Sequence, residues 1–111
     1  MSEPARGVLA AIAFQLAEAL EHYQRDCTRL EATWFDPVLY RSVCDAMDRI
    51  QMYSTSLHGT SVMAVALLIA HSELVFTLWR GGDPARVRDE HAACVASMRG
   101  ACLQRIGGQP S

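Results

Sequence analysis

The chain has 111 residues, of which half are hydrophobic and a fifth are charged, and its formal net charge is −2. This length is enough for one domain with a sizeable core, and the composition excludes a disordered chain. The small negative charge excludes the basic surface typical of nucleic-acid-binding proteins. All ten basic residues counted as lysine or arginine are arginine, which we attribute to a compositional bias such as that of a GC-rich genome.

The first predicted element is a long amphipathic helix from about Pro4 to Glu31. Its apolar residues recur at steps of three and four, and its opposite face is polar and charged. No basic segment followed by an uninterrupted apolar run begins the chain, so we expect no signal peptide and predict a cytoplasmic protein. The apolar set of this helix is Leu9, Ile12, Leu16, Leu20, Tyr23, Cys27, Leu30 and Trp34.

Asp36-Pro37 predicts the start of a second helix, because aspartate caps a helix and proline at the first helical position loses no hydrogen bond. His58-Gly59 is predicted to end this helix, which leaves a turn of about two residues before the next one. A turn that short makes the second and third helices antiparallel neighbours. The inward set is Leu39, Val43, Met47, Ile50, Ser54 and Leu57.

The third helix, from about residue 60 to 80, is the most apolar part of the chain. Thr60 or Ser61 is predicted to cap it, and Gly81-Gly82 to end it in a left-handed conformation. A helix that is apolar all round is buried or lies in a membrane. A membrane span is disfavoured because Glu73 at mid-depth costs about 2.5–3.5 kcal/mol. The predicted core stripe is Ala64, Leu67, Leu68, His71, Leu74, Val75 and Leu78.

Asp83-Pro84 repeats the opening signal for a fourth helix, whose inward set is Val87, His91, Cys94, Val95, Met98, Cys102 and Ile106. Residues 107–111 are predicted to form a disordered tail. Three amphipathic helices and one apolar helix with short connections predict an all-α fold, a four-helix antiparallel bundle of up-down-up-down topology, in a single domain covering residues 1–106.

No catalytic or phosphate-binding motif occurs, and there is no Cys-x-x-Cys pair. His91 and Cys94 are one turn apart, which allows both to face one metal ion if two further ligands from Cys102, Cys44 or His71 complete the site. The alternative is that His71 is a neutral core histidine and that the cysteines are reduced thiols. We therefore predict no cofactor, and leave open whether His71, His91, Cys94 and Cys102 bind a metal or a small ligand.

The back stripe of the third helix has no charged face of the kind that the other three helices show. Exposed to water, it would form an apolar patch of a size that usually marks a contact surface. We predict that a protein partner, or a second copy in a homodimer, covers it and supplies an arginine to Glu73. The alternative is that the first helix crosses this stripe within one chain. The predicted interaction surface is Val62, Ala66, Ile69, Glu73, Phe76 and Arg80.

These patterns predict a non-enzymatic interaction module: a small adaptor, regulator or secretion-type chaperone that acts through an apolar helical surface. The alternative is a helical bundle that binds a small molecule or a metal through His71, His91 and the cysteines. Neither nucleic-acid binding nor a membrane span is expected.

Overall fold

Four helices make up most of the computed structural model, which describes residues 3–33 and 36–107. The helices are α1 (Glu3–Ala32), α2 (Pro37–Ser54), α3 (Ser61–Trp79) and α4 (Ala85–Ile106), and the described residues contain no strand. Short connections reverse the chain direction after each helix. The predicted four-helix antiparallel bundle is confirmed. Trp34 and positions 108–111 of the predicted tail lie outside the described residues.

The longest helix, α1, sets the length of the molecule. Its 30 residues span about 45 Å at 1.5 Å per residue, and the principal extents of the molecule are 50 × 25 × 18 Å. It packs against both α2 and α4, whereas α3 packs mainly on α4 and more loosely on α2. The third helix is therefore the least covered of the four.

The core is built from the apolar stripes of all four helices. Burial of each large apolar side chain contributes roughly 1.5–3 kcal/mol before conformational entropy is subtracted. The largest fully buried side chains are Leu16, Leu20, Tyr23, Leu30, Val43, Ile50, Leu67, Val95 and Met98, together with Thr60 and Cys102.

The core stripe of α3 differs in part from the predicted one. Leu68 is exposed, while Val75 and Leu78 are only half-buried, and Ala70 and Thr77 are buried in their place. The helix is thus turned slightly relative to the orientation that apolar spacing suggested. His71, which was also predicted to face inward, keeps its place there through the hydrogen bond described below.

The predicted start of α2 is confirmed. The Asp36 carboxylate accepts hydrogen bonds from the backbone N–H groups of Val38, at 3.0 Å, and Leu39, at 3.2 Å. Pro37 is the first helical residue. The cap satisfies two of the backbone donors that a helix start leaves without a partner inside the helix.

The predicted end of α2 is wrong, because the helix stops at Ser54 and residues 55–60 form a longer connection. The hydroxyl groups of Ser54 and Thr55 donate to the carbonyl oxygens of Gln51 and Met52, at 2.8 and 2.7 Å. Such short-range bonds compete with helix continuation. Gly59 then turns the chain with a φ of 86°, a conformation that glycine adopts readily.

Thr60 occupies the position before α3 but does not cap it with its side chain. Its buried hydroxyl instead lies 2.8 Å from the carbonyl oxygen of Ser54 and 2.7 Å from that of Leu57. The residue therefore anchors α3 to the end of α2, because burial makes these carbonyls its available partners.

The predicted left-handed end of α3 is confirmed. Gly81 has a φ of 73°, and its N–H donates to the carbonyl of Leu78 at 3.1 Å, while that of Gly82 donates to Thr77 at 2.9 Å. This pair of bonds is the Schellman motif. The Asp83 carboxylate then accepts from the N–H of Ala85, the first residue of α4, at 3.0 Å.

Candidate functional site

The outer face of α3 is apolar and open to solvent. The six residues predicted as an interaction surface, Val62, Ala66, Ile69, Glu73, Phe76 and Arg80, are all exposed. The first helix packs on α2 and α4 and does not cover these positions, so the predicted alternative of an intrachain cover is wrong. Whether a partner binds this face stays a prediction.

Three further large apolar side chains lie on the same face and were missed by the sequence analysis: Val65, Leu68 and Trp79. The spacing of the sequence could have identified Val65 and Trp79. They belong to a series with steps of three and four that consists of positions 62, 65, 69, 72, 76 and 79. We define the outer face of α3 as Val62, Val65, Ala66, Leu68, Ile69, Ser72, Glu73, Phe76, Trp79 and Arg80. The exposed fractions of its large apolar residues are 81% for Val62, 55% for Val65, 41% for Leu68, 55% for Ile69, 59% for Phe76 and 64% for Trp79.

Arg80 contributes a cation–π contact to this face. Its guanidinium carbon lies 5.1 Å from the centroid of the Phe76 ring, within the range of such contacts. The contact leaves more than half of Phe76 exposed. The outer face therefore presents an aromatic ring that is oriented by a neighbouring charge and is still available for contact.

On the opposite side of α3, a buried cluster joins three helices. The hydroxyl of Tyr23 in α1 lies 2.8 Å from Nδ1 of His71 in α3 and 2.6 Å from Nε2 of His91 in α4. All three residues are buried. We call these three residues the Tyr23 cluster.

The hydrogen bonds of the Tyr23 cluster require particular proton positions. A tyrosine hydroxyl has one proton to donate and lone pairs to accept, and a neutral imidazole has one N–H donor and one acceptor nitrogen. With both histidines neutral, Tyr23 donates to one ring and accepts from the N–H of the other. Among the described residues, no fully buried side-chain polar atom is left without a hydrogen bond.

Burial keeps the whole cluster neutral near pH 7. It lowers the pKa of His91 to about 4, with a further contribution from the charge of His71. Burial also lowers the pKa of His71, an effect that Asp48 opposes. The pKa of Tyr23 is raised, mainly by burial and also by the nearby Cys27 and Cys44 thiols. An uncharged cluster of this kind favours a structural role.

The Tyr23 cluster determines which side of α3 faces outward. Burial of apolar surface alone does not explain this orientation, because small or polar residues such as Ala70 and Thr77 are buried while Phe76 and Trp79 are exposed. Turning His71 away from Tyr23 would leave a buried hydroxyl with fewer partners, at a cost of about 1–3 kcal/mol. The hydrogen bond between α1 and α3 thereby holds the opposite, apolar stripe in solvent.

Of the four residues predicted as possible ligands, the fold brings His71 and His91 to the same hydroxyl. Cys94 is half-buried and Cys102 is buried, and both are unpaired thiols, as are Cys27 and Cys44. Within residues 3–33 and 36–107, no three His, Cys, Asp or Glu side chains are grouped so that they could hold a metal ion. The sequence analysis missed Tyr23, which it treated as an apolar core position.

An open groove between α1 and α4 reaches the edge of the Tyr23 cluster. Its volume is about 470 Å³, and its lining includes Cys27, Glu31, Arg88 and His91. An ion pair of 2.7 Å between Arg88 Nε and Glu31 Oε1 joins the two helices beside it. Exposed pairs of this type contribute little to stability, because water screens the charges. The groove has the polar groups to accept a small polar molecule.

By length and composition, α3 could also cross a membrane, and within the described residues it is the one helix that passes this test. In the bundle, 39% of the tested window is buried. A core helix of a globular protein has the same composition, so the property by itself does not separate the two environments.

No protein-family model matches the chain, and neither a curated protein nor a solved structure is significantly similar to it.

Proposed function

We propose that the protein is a non-enzymatic interaction module that binds an apolar protein helix on the outer face of α3. The supporting observation is that six large apolar side chains on one helix are each between 41% and 81% exposed. Contiguous apolar patches of several hundred Å² usually mark contact sites. An adaptor, a regulator or a secretion-type chaperone uses a surface of this kind, and the cytoplasm is the compartment we propose.

The shape of the face favours a helical partner. The seam from Val62 to Trp79 has 18 positions, about 27 Å at 1.5 Å per residue. An amphipathic helix of similar length matches such a surface, with its anchors at steps of three and four. Phe76 and Trp79 are the expected anchors, because aromatic side chains contribute most to interface energy.

Position-specific photo-crosslinking tests this function. A benzophenone amino acid at Ile69, on the outer face, should crosslink the protein to one defined protein species, either itself or a partner, in native-host extract. The same group at Met52, which is 56% exposed on α2, is the matched control and should give no such product. Crosslinks to lipid alone, or equal products at the two positions, would overturn the proposal.

The groove beside His91 supports a second candidate function, the binding of a small polar molecule. A metal ion is the other ligand of this alternative, although the described residues do not group three ligands for one. Its test is an absorption spectrum and metal analysis of the purified protein. A stoichiometric chromophore or metal that is lost in His91→Gln, and retained in a variant of the exposed His58, would favour this function over the interaction module.

A further inference from the structure

We propose that the occupant of the outer face of α3 is the same face of a second copy, with the two α3 helices antiparallel and Ile69 of each packed against Ser72 of the other. This inference rests on the proposed function and specifies its partner. Three observations carry it: the periodicity of the exposed residues, the order of their sizes, and the position of the charges.

The exposed residues form a heptad seam. Positions 62, 65, 69, 72, 76 and 79 are spaced three, four, three, four and three, and all six are exposed. This is the spacing of core positions in helices that pack along their whole length. A second seam faces the bundle and consists of the buried positions 60, 64, 67, 71 and 74 and the half-buried position 78. The third helix thus has two packing seams, of which the fold covers one.

The sizes of the seam residues match an antiparallel pair. With the two-fold axis midway between Ile69 and Ser72, Val62 faces Trp79 and Val65 faces Phe76. Each layer then combines one larger and one smaller side chain, which is how packed layers interdigitate. A parallel pair in register would place Trp79 on Trp79 and Ser72 on Ser72, with crowding at one level and a gap at the other. The antiparallel pair is also the isologous contact of a two-fold dimer.

The charges lie beside this seam. Glu73 and Arg80 directly follow the seam residues Ser72 and Trp79, so they stay at the edge of the pair, where water reaches them. In this register Arg80 of the second copy lies about 18 Å along the axis from Glu73, since each residue advances about 1.5 Å. Glu73 therefore remains solvated and needs no arginine from the second copy. The pair therefore buries no charge without a partner. A buried, unpaired charge would oppose association.

The available area suits a weak dimer. Specific complexes bury about 1,200–2,000 Å² in total, or roughly 600–1,000 Å² from each partner. Six partly exposed apolar side chains, two of them aromatic with areas of about 150–250 Å² each, provide an area near the lower limit. We expect a dimer that dissociates measurably at micromolar concentration.

The oligomeric test uses a residue that is exposed in the monomer, so that folding is preserved. Ser72→Arg places a long charged side chain opposite Ile69 and should weaken dimerisation at least tenfold, as measured by light scattering over a concentration series. Ser97→Arg, at an exposed serine of α4, is the matched control and should dimerise like the wild type. Circular dichroism of all three proteins should show the same helix content.

The orientation is tested by disulfide trapping in a background in which Cys44 and Cys94 are replaced by alanine. Val62→Cys and Trp79→Cys variants, mixed in equal amounts and oxidised, should give a mixed disulfide. Neither variant alone should crosslink efficiently, because positions 62 of the two copies are about 25 Å apart in the antiparallel pair. Disulfides within each single variant, without the mixed product, would overturn the antiparallel register.

The other outcomes separate this inference from the proposed function. A wild type that is monomeric at every concentration overturns the homodimer, yet the interaction module stands if Ile69 still crosslinks to a different protein. A dimer that Ser72→Arg leaves unchanged overturns the register. A third outcome is that the wild type does not dimerise but floats with phosphatidylcholine vesicles, and that Ser72→Arg abolishes this flotation. It would assign the face to a membrane and overturn both the homodimer and the interaction module.

Discussion

Tyr23 Oη lies 2.6 Å from His91 Nε2, in a buried contact between α1 and α4 that joins two residues 68 positions apart in sequence. The same hydroxyl contacts His71. One added proton on His91 is compatible with this geometry, because the imidazolium donates to Tyr23 and Tyr23 donates to His71. A second proton would leave the hydroxyl proton without an acceptor in either ring. The cluster can therefore take up one proton and keep both hydrogen bonds, but burial makes this charged form unfavourable.

The first prediction is that unfolding free energy falls as the pH is lowered from about 6.5 to 4. The folded pKa of His91 is about 4 and its ordinary value is 6.5, so over this interval the unfolded chain binds a proton that the folded chain does not. The contribution of His91 to this loss should be up to about 3 kcal/mol and should level off below pH 4, and the lowered pKa of His71 adds to the loss. Urea unfolding at a series of pH values measures it.

The control for this experiment compares two histidines. His91→Gln retains a hydrogen-bonding group but does not titrate, so its stability should depend less on pH than that of the wild type. His58→Gln, at an exposed position, should behave like the wild type. Carboxylates titrate in all three proteins, which makes the difference between the profiles the relevant quantity. Identical profiles for wild type and His91→Gln would show that His91 is accessible to solvent.

The second prediction concerns the hydroxyl at the centre of the cluster. Tyr23→Phe keeps the ring but removes the group that His71 and His91 share, so the variant should lose about 1–3 kcal/mol of unfolding free energy. Tyr53→Phe, at a half-buried tyrosine outside the cluster, should change stability by less than 1 kcal/mol. Equal effects of the two substitutions in urea unfolding would contradict the proposed role of Tyr23.

The third prediction concerns two glycines, one in a left-handed backbone conformation and one inside a helix. Gly81 has a φ of 73°, so Gly81→Ala should destabilise the protein by about 1–2 kcal/mol. Gly100 lies inside α4, and nothing is within 4 Å of an added Cβ, so Gly100→Ala should stabilise it by about 0.5–1 kcal/mol. Thermal unfolding distinguishes the two signs. A gain in stability from Gly81→Ala would mean that α3 does not end in the left-handed turn.

The fourth prediction is that all four cysteines are thiols. Titration after denaturation without reductant should recover four, whereas two or none would show disulfides. In the native protein, Cys27 and Cys102 should react much more slowly than Cys44 and Cys94. Burial raises the pKa of the Cys27 thiol to about 12 and also raises that of Cys102, which leaves little of the reactive thiolate. Rapid native labelling of Cys27 would indicate that the bundle opens at α1.

The sequence predicted the local features well, because their causes are local. Asp36 caps α2 and Gly81 ends α3 through bonds to residues within four positions, so the signal and the structure lie in the same short segment. The end of α2 was wrong although it is also local. Hydroxyl-to-carbonyl bonds at Ser54 and Thr55 outweighed an apolar pattern that continued to the buried Leu57.

The rotational setting of α3 was decided only by the tertiary structure. Apolar spacing placed Leu68 in the core, yet it is exposed, and it gave no indication that Tyr23 is more than an apolar core residue. The exposed stripe of α3 carries larger apolar side chains than the buried one, so apolar burial alone does not account for its orientation. The hydrogen bond between the Tyr23 hydroxyl and His71, which are 48 residues apart in sequence, selects the orientation. Such a choice depends on which polar groups can meet across helices, and that is established only when the helices pack.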